Sequence, residues 1–246
     1  VAEAYYDYSL TVDSTSSNKG IYLTSGLSRI NNYTLNSLYK LANDGVNNTM
    51  SARLTSTAKG TDADTGTTVT AGFDFDATLG ALTISNAANN YRGKTLVSGG
   101  TVQYGDSNAF GKSNLVELAA GTVVDVNGYT QTGANAVGGL ILGNGASLLL
   151  KGGKYEVTGA VNSTGAIHLG LNGELTLSGG GSITGTGTLI GSGSIKLNGA
   201  PGTTLTISGA NTGLTAAITI DADNTASLDN FKVLGTGNIS QSGLHI

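Results

Sequence analysis

The chain has 246 residues, of which 39 are Gly, one is Pro and none is Cys or Trp; 11% are charged, and the net charge is −4 at pH 7. The absence of Cys excludes a disulfide framework, a zinc site with thiolate ligands and a Cys nucleophile. Lys and Arg are scattered singly, which excludes a basic nucleic-acid groove and a basic amphipathic membrane segment. No apolar run approaches the ~20 residues of a membrane-spanning helix. The start at Val1, with no initiating Met and in the middle of a pattern, reads as a piece excised from a longer protein. A Cys-free chain also suits passage through a bacterial periplasm in an unfolded state. Low charge combined with regular aliphatic alternation predicts an ordered protein whose polar surface is built from Ser, Thr and Asn.

Residues 1–72 are the less regular part. Tyr6 to Val12 alternates as a strand does, and Gly20 to Leu27 reads as a second strand. Tyr33 to Leu41 carries Leu35, Leu38 and Leu41 at a spacing that also suits a short helix; strand or irregular structure is the preferred reading because its neighbours are strand-like. Met50 to Thr55 reads as another strand. Residues 57–72 are polar and turn-rich (Lys59-Gly60-Thr61-Asp62-Ala63-Asp64-Thr65-Gly66), which predicts a loop protruding from the core.

Residues 73–246 form the regular part. Ser147 to Leu150, Ala166 to Leu169, Glu174 to Leu177, Ser194 to Leu197 and Thr204 to Ile207 place aliphatic side chains two apart, and each run is followed closely by Gly. That is the period of a strand with one buried face. Leu142 to Leu169 and Leu150 to Leu177 are steps of 27, and Leu177 to Leu197 is a step of 20. Repeats of this length predict a parallel β-helix of roughly ten coils. At ~4.8 Å per coil it would be a rod on the order of 50 Å long. Leu, Ile and Val would stack inward, while His168, Thr176, Lys196 and Thr206 would face solvent. Leu82-Thr83-Ile84-Ser85 recurs as Leu205-Thr206-Ile207-Ser208, and each is followed by an Asn-containing turn.

The first of these copies carries a longer pattern. Leu82-Thr83-Ile84-Ser85 is followed by Asn89-Asn90-Tyr91-Arg92-Gly93-Lys94-Thr95-Leu96-Val97-Ser98-Gly99-Gly100-Thr101-Val102 and then Ala109-Phe110-Gly111. This string resembles the autotransporter-associated β-strand repeat, with Phe110 in place of the usual Leu. The stretch from Tyr6 to Leu27 resembles a segment of AIDA-like passengers. The resemblance implies a right-handed, single-stranded parallel β-helix (a β-solenoid). It also implies a type V autotransporter passenger on the bacterial cell surface or secreted, presented by its own C-terminal outer-membrane β-barrel, which is not in this sequence. Most such passengers act in adhesion, self-association or biofilm formation. Expected partners are further copies on neighbouring cells, or a host surface protein or glycan, and no nucleic acid.

Several residues invite chemistry. Gly105-Asp106-Ser107 resembles the core of a serine hydrolase motif, but a nucleophilic Ser needs an oriented base, and the chain has only His168 and His245. Gly105 to Ser113 ends in Gly-Lys-Ser like a phosphate loop, but Asp106 stands where that motif needs Gly. Three Asp-x-Asp pairs (Asp62/Asp64, Asp74/Asp76, Asp221/Asp223) share a strand face and are candidates for Ca²⁺ or for acid–base work. Asp74 and Asp76 stand out because Phe73 and Phe75 alternate with them. Solvated surface is the preferred reading of all three pairs. Of the ten Tyr, Tyr5, Tyr6, Tyr8, Tyr22, Tyr33 and Tyr39 crowd the first forty residues, and Tyr6 and Tyr8 share a face suited to glycan or protein contact. The expectation is a non-enzymatic protein with no catalytic residues, no cofactor and no metal. Its candidate binding surface includes Tyr6, Tyr8, Asp74 and Asp76. A polysaccharide-acting enzyme using Asp74 and Asp76, and an inert stalk for a separate functional domain, are the alternatives.

Overall fold

The computed structural model describes residues 2–13, 20–43, 45, 47–62, 64–184, 188–208, 211, 213–221, 224–228 and 239–241. The chain opens with two long strands, β1 (Ala2–Asp13) and β2 (Gly20–Asn32), paired antiparallel, with a register shift between Tyr5 and Tyr6. The first turn of the solenoid follows as β3 (Leu38–Ala42), β4 (Asn48–Met50) and β5 (Arg53–Thr55). β5 pairs in parallel with the end of β2, setting Arg29 against Arg53 and Ile30 against Leu54. The hairpin therefore enters the stack through β2 and leaves β1 at the edge of that sheet.

Two long strands, β6 (Gly72–Ile84) and β7 (Lys94–Tyr104), each supply two faces of the next coils. From there the faces separate into short strands. One coil runs β8 (Leu115–Leu118), β9 (Val123–Asp125), β10 (Thr130–Gln131), and the next runs β11 (Leu140–Leu142), β12 (Ser147–Leu149), β13 (Lys154–Val157). The pattern continues with β14 (Val161–Ser163), β15 (Ala166–Gly170), β16 (Glu174–Leu177) and then β17 (Gly181–Ile183), β18 (Thr188–Gly191), β19 (Ser194–Leu197). β20 (Thr204–Ile207), β21 (Ala217–Ile220), β22 (Thr225–Leu228) and β23 (Ile239–Gln241) complete the described strands. Strands at equivalent places in successive coils pair in parallel, so β10-β13-β16-β19-β21-β23 form one ladder and β8-β11-β14-β17-β20-β22 another. A single 3₁₀ turn at Gly133–Asn135 is the helical element among the described residues.

This is the expected β-solenoid, with about eight turns rather than roughly ten. Fewer turns fit because the antiparallel hairpin consumes the first 32 residues. The first coil is also long: Leu38 pairs with Gly72, so the loop after β5 is inserted into it. The stacking step elsewhere is shorter than 27. Lys154 pairs with Glu174 and Glu174 with Ser194, a step of 20 each time. Leu142 stacks on Ser163, not on Leu169. The 27-residue steps join equivalent-looking Leu residues on different faces, because the aliphatic pattern is the same on every face. Tyr33 to Leu41 is not helical; it turns and then enters β3.

Alternation does what a half-buried strand requires. In β16, Leu175 and Leu177 are fully buried while Glu174 and Thr176 are partly exposed. Inward columns stack in register, for example Phe73, Thr95, Val116, Leu140 and Val161. Burying each large aliphatic or aromatic side chain contributes about 1.5–3 kcal/mol. The early coils are filled with aromatics: Phe73 meets Tyr91 edge-on at 4.9 Å, Phe75 stacks on Phe110 at 5.8 Å, and Tyr104 meets Phe110 edge-on at 4.9 Å. Burial pushes the Tyr91, Tyr104 and Tyr155 phenols up, so they stay neutral.

Where the strand ladder lapses at the corners, buried asparagines replace it. Asn89 accepts from the Leu54 amide at 2.7 Å and donates to the Ala109 carbonyl at 3.0 Å, tying three coils together. Asn31 holds Thr55 and Thr57 in the same way. Asn224 bonds both the amide and the carbonyl of Gly199. Such pairing removes the cost of a buried, unsatisfied backbone group. Gly100 shows why the repeat string contains Gly: its φ is +64°, and a Cβ there would lie 1.8 Å from the Ala77 carbonyl oxygen of the coil before it.

Candidate functional site

The charged side chains are mostly spent within the molecule. Lys94 reaches Glu117 at 2.6 Å, Lys151 reaches Asp125 at 2.5 Å, Lys154 reaches Glu174 at 3.0 Å and Lys196 reaches Asp221 at 3.4 Å. Each of these pairs joins neighbouring coils on an outer face. The exposed pairs contribute about 0–1 kcal/mol each; Asp125 is the exception, a buried carboxylate that also accepts from Gln103 and from the Asn127 amide.

Of Asp74 and Asp76, only Asp76 joins this scheme; Asp74 makes no ion pair among the described residues, and its Oδ1 is buried without a hydrogen-bond partner. Phe73 and Phe75 point into the core, as alternation predicts, and the two carboxylates lie outside, half-buried. Asp76 pairs with Lys40 at 2.7 Å, accepts the Thr78 amide at 3.1 Å and accepts the Thr78 hydroxyl. These bonds, led by that to Lys40, hold its carboxyl down at about 2. Thr78 opens a four-residue outward bulge of β6, where the register jumps between Ala77 and Leu82. Asn43 fastens that bulge by accepting from the Leu79 amide and donating to the Gly80 carbonyl. Asp76 thus serves as a turn and ion-pair residue. A general acid needs a raised pKa, and Asp76 has the opposite.

The other motifs are taken up by coil stacking. Ser107 accepts from the Thr130 amide at 3.3 Å. His168 lies on the outer column that runs Gln103, Asp125, Leu149, His168, three rungs or ~14 Å along the axis from the strand that leads into the Ser107 turn. His245 and Asp223 lie outside the described residues, so the Asp221/Asp223 pair is only half described; its Asp221 pairs with Lys196. In the phosphate-loop look-alike, the Lys112 amide donates to the Tyr91 carbonyl, and the buried Ser113 hydroxyl bonds Gly93 and Leu115. Among the described residues no group of three His, Cys, Asp or Glu side chains gathers as a metal site.

A cleft does form at the N-terminal hairpin. It is lined by Tyr5, Tyr6, Asp7, Ser28, Arg29, Arg53 and Asp64, with a volume of about 560 Å³. Three separate segments meet there because β1, β2 and β5 are consecutive in one sheet. Tyr5 and Arg29 are cross-strand partners, and the Arg29 guanidinium lies 3.8 Å above the Tyr5 ring centre. The register shift beside Tyr5 leaves Ser28 unpaired in the ladder, and its hydroxyl donates to the Tyr5 carbonyl at 3.1 Å. Bulges of this kind re-aim side chains. The Tyr5 hydroxyl donates to Glu3 at 2.6 Å, which, with burial, raises the phenol.

The loop after β5 closes the other side of this cleft. An antiparallel bridge between Thr57 and Thr68 pins its base, and Lys59 sits 5.6 Å from the Tyr33 ring centre. Asp62 accepts from the Asp64 amide at 2.7 Å and shapes the turn, and Asp64 pairs with Arg53 at 2.6 Å. Arg53 Nε also donates to the Ala88 carbonyl. Tyr6 is 51% exposed and Tyr8 68% exposed. Tyr6 lines the cleft, whereas Tyr8 stands further along the hairpin. Asp74 and Asp76 lie on another sheet and do not join them. Composition singles out Tyr6, and the Asp-x-Asp spacing singles out Asp64. Arg29 and Arg53 carry no local signal and are brought together only by the pairing of β2 with β5.

With this geometry in place, comparison with known proteins adds three relatives. The chain is 29% identical over 245 residues to an uncharacterized lipoprotein, YdeK, of Escherichia coli (strain K12), a match that covers 99% of this chain and 15% of the relative. It is 31% identical over 251 residues to an uncharacterized protein, YuaQ, of the same strain, again covering 99% of this chain and 15% of the relative. It is 35% identical over 95 residues to the adhesin BmaC autotransporter of Brucella suis biovar 1 (strain 1330), covering 35% of this chain and 3% of that protein. The chain thus spans about 15% of the length of the two relatives that it matches almost throughout. No family model and no solved structure matches it. A partial match to an autotransporter adhesin and a β-solenoid fold together fit a passenger domain.

Proposed function

We propose that this chain is a stretch of an AIDA-like autotransporter passenger that works by contact, in adhesion, self-association or biofilm formation, and carries out no catalysis. The observation that carries the reading is the match to an autotransporter adhesin in a chain that folds as parallel β-coils. The lipoprotein name of one relative supports a place in the cell envelope, and the proposal puts the chain on its outer surface. The partners are other copies on neighbouring cells or a host surface protein or glycan, and the passenger's own outer-membrane barrel presents it.

The outer faces suit contact rather than chemistry. Outward columns such as Asn162, Ser182 and Thr206 present hydroxyls and amides at one-rung spacing. Many weak contacts along a stiff ladder sum to a strong attachment. The test is display of the passenger on a cell that lacks it. Increased aggregation, biofilm or host-cell attachment relative to an empty display scaffold is the expected result. No change in any of the three would contradict the reading and leave the stalk alternative.

A further inference from the structure

The cleft at the N-terminal hairpin gathers charged, hydroxyl and aromatic side chains from separate segments. Arg29 Nε is buried and makes no hydrogen bond, and Arg29 makes no ion pair among the described residues. Its register partner Arg53 is already committed to Asp64 and the Ala88 carbonyl. Beside them stands Tyr6, half of whose surface is open to solvent. The lining holds two guanidinium groups and two carboxylates, those of Asp7 and Asp64, with the Ser28 hydroxyl between the strands.

The charge balance decides what fits. The two cations and two anions of the lining cancel, and Glu3 beside Tyr5 adds a negative charge, so a strongly anionic ligand gains no long-range attraction. A neutral polyol loses nothing to this balance. Vicinal hydroxyls both donate and accept, so one pair can accept from a guanidinium and donate to a carboxylate at once. The apolar C–H face of a pyranose ring matches an exposed, rigid phenol ring, which offers large contact area at small entropic cost. We propose that this cleft binds a neutral carbohydrate, with Tyr6 as the stacking platform, the Arg29 guanidinium as a donor, and Asp7 and Asp64 as acceptors. Tyr5 holds Arg29 in place through its ring and lines the same cleft. This inference rests on the adhesive reading above and names the chemistry of one of its contacts.

The test uses the whole 246-residue chain and saturation-transfer NMR with calorimetry. The probes are neutral hexasaccharides built from glucose, mannose, galactose or N-acetylglucosamine, with oligogalacturonate as the acidic comparison. Binding of at least one neutral probe is expected, with transfer from aromatic protons. Tyr6→Ala and, separately, Arg29→Lys should each weaken it roughly tenfold or more, while Tyr8→Ala leaves it within about twofold. Circular dichroism and Tm of each variant show whether the fold is kept. Arg29→Lys retains the charge and loses only the planar fork, so it keeps the test valid if Tyr6→Ala disturbs the hairpin. Preference for the acidic probe, no neutral binding at millimolar concentration, or binding unchanged in both variants would each overturn the proposal. Cell attachment is scored separately. Attachment that survives without carbohydrate binding sinks this inference alone, and loss of attachment with binding retained sinks the adhesive reading.

Discussion

The coils from residue 72 to 126 and those from residue 160 to 221 are built on the same parallel ladders but filled differently. The first region packs Phe73, Phe75, Tyr91, Tyr104 and Phe110 against one another. The second is lined by Val161, Ile167, Leu169, Leu175, Leu177, Ile183, Leu189, Ile195 and Leu197, with no aromatic among its described core residues. Both use buried Asn to close corners: Asn89 accepts from the Leu54 amide, and Asn211 accepts from the Leu189 amide, each at 2.7 Å. A solenoid needs volume and alternation inside each coil, and either set of side chains supplies them. What it cannot do without is a partner for every backbone group at the corners.

That contrast can be broken at three points. The largest effect is expected where aromatics interlock. Phe110→Ala removes contacts to both Phe75 and Tyr104 and should cost about 3–5 kcal/mol, whereas Ile195→Val in the aliphatic coils should cost about 0.5–1.5 kcal/mol. Chemical denaturation of the two variants checks this; equal losses would show that the aromatic cluster has no special weight. Asn89→Ala comes next. It strands the Leu54 amide and the Ala109 carbonyl in the interior and should cost about 1–3 kcal/mol. Asn89→Asp should recover only part, since a carboxylate can accept from Leu54 but cannot donate to Ala109.

The smallest effect is at Asp76 and is seen through pH. Its folded pKa, about 2, lies below the ordinary carboxylate value. The stabilisation it gives is therefore complete above the unfolded pKa of ~4 and is lost as pH falls toward 2. Stability curves of the wild type and Asp76→Asn should converge as pH drops through that window and run parallel above it. A gap that persists unchanged down to pH 2 would show that the Lys40 and Thr78 bonds do not set its proton affinity.

The sequence made some of this legible and hid the rest for physical reasons. Strand alternation is local, so Glu174–Leu177 and Ser194–Leu197 could be read as one buried face each, and their step of 20 is the true rung spacing. The period says nothing about strand direction, which is why Tyr6 to Val12 read as a strand without revealing an antiparallel partner in Gly20–Asn32. Faces with identical patterns also hid which Leu stacks on which. The corner role of Asn89 was visible only as a repeat residue, because its partners Leu54 and Ala109 lie 35 and 20 residues away. The cleft was half legible. Tyr6 stood out by composition, but Arg29 is singled out only by its neighbours in space.

Rung register is the claim on which the remainder stands, and a chain without Cys permits a direct test by introduced pairs. Thr176 and Lys196 are register partners on adjacent rungs, within the span of a disulfide. Thr176 and Ser194 are two residues out of register, or ~8 Å apart at ordinary strand dimensions and beyond that span. Under mild oxidation the Thr176→Cys/Lys196→Cys protein should form an intramolecular disulfide and the Thr176→Cys/Ser194→Cys protein should remain reduced. Closure of the second pair in preference to the first, or of neither, would contradict a solenoid with this rung spacing.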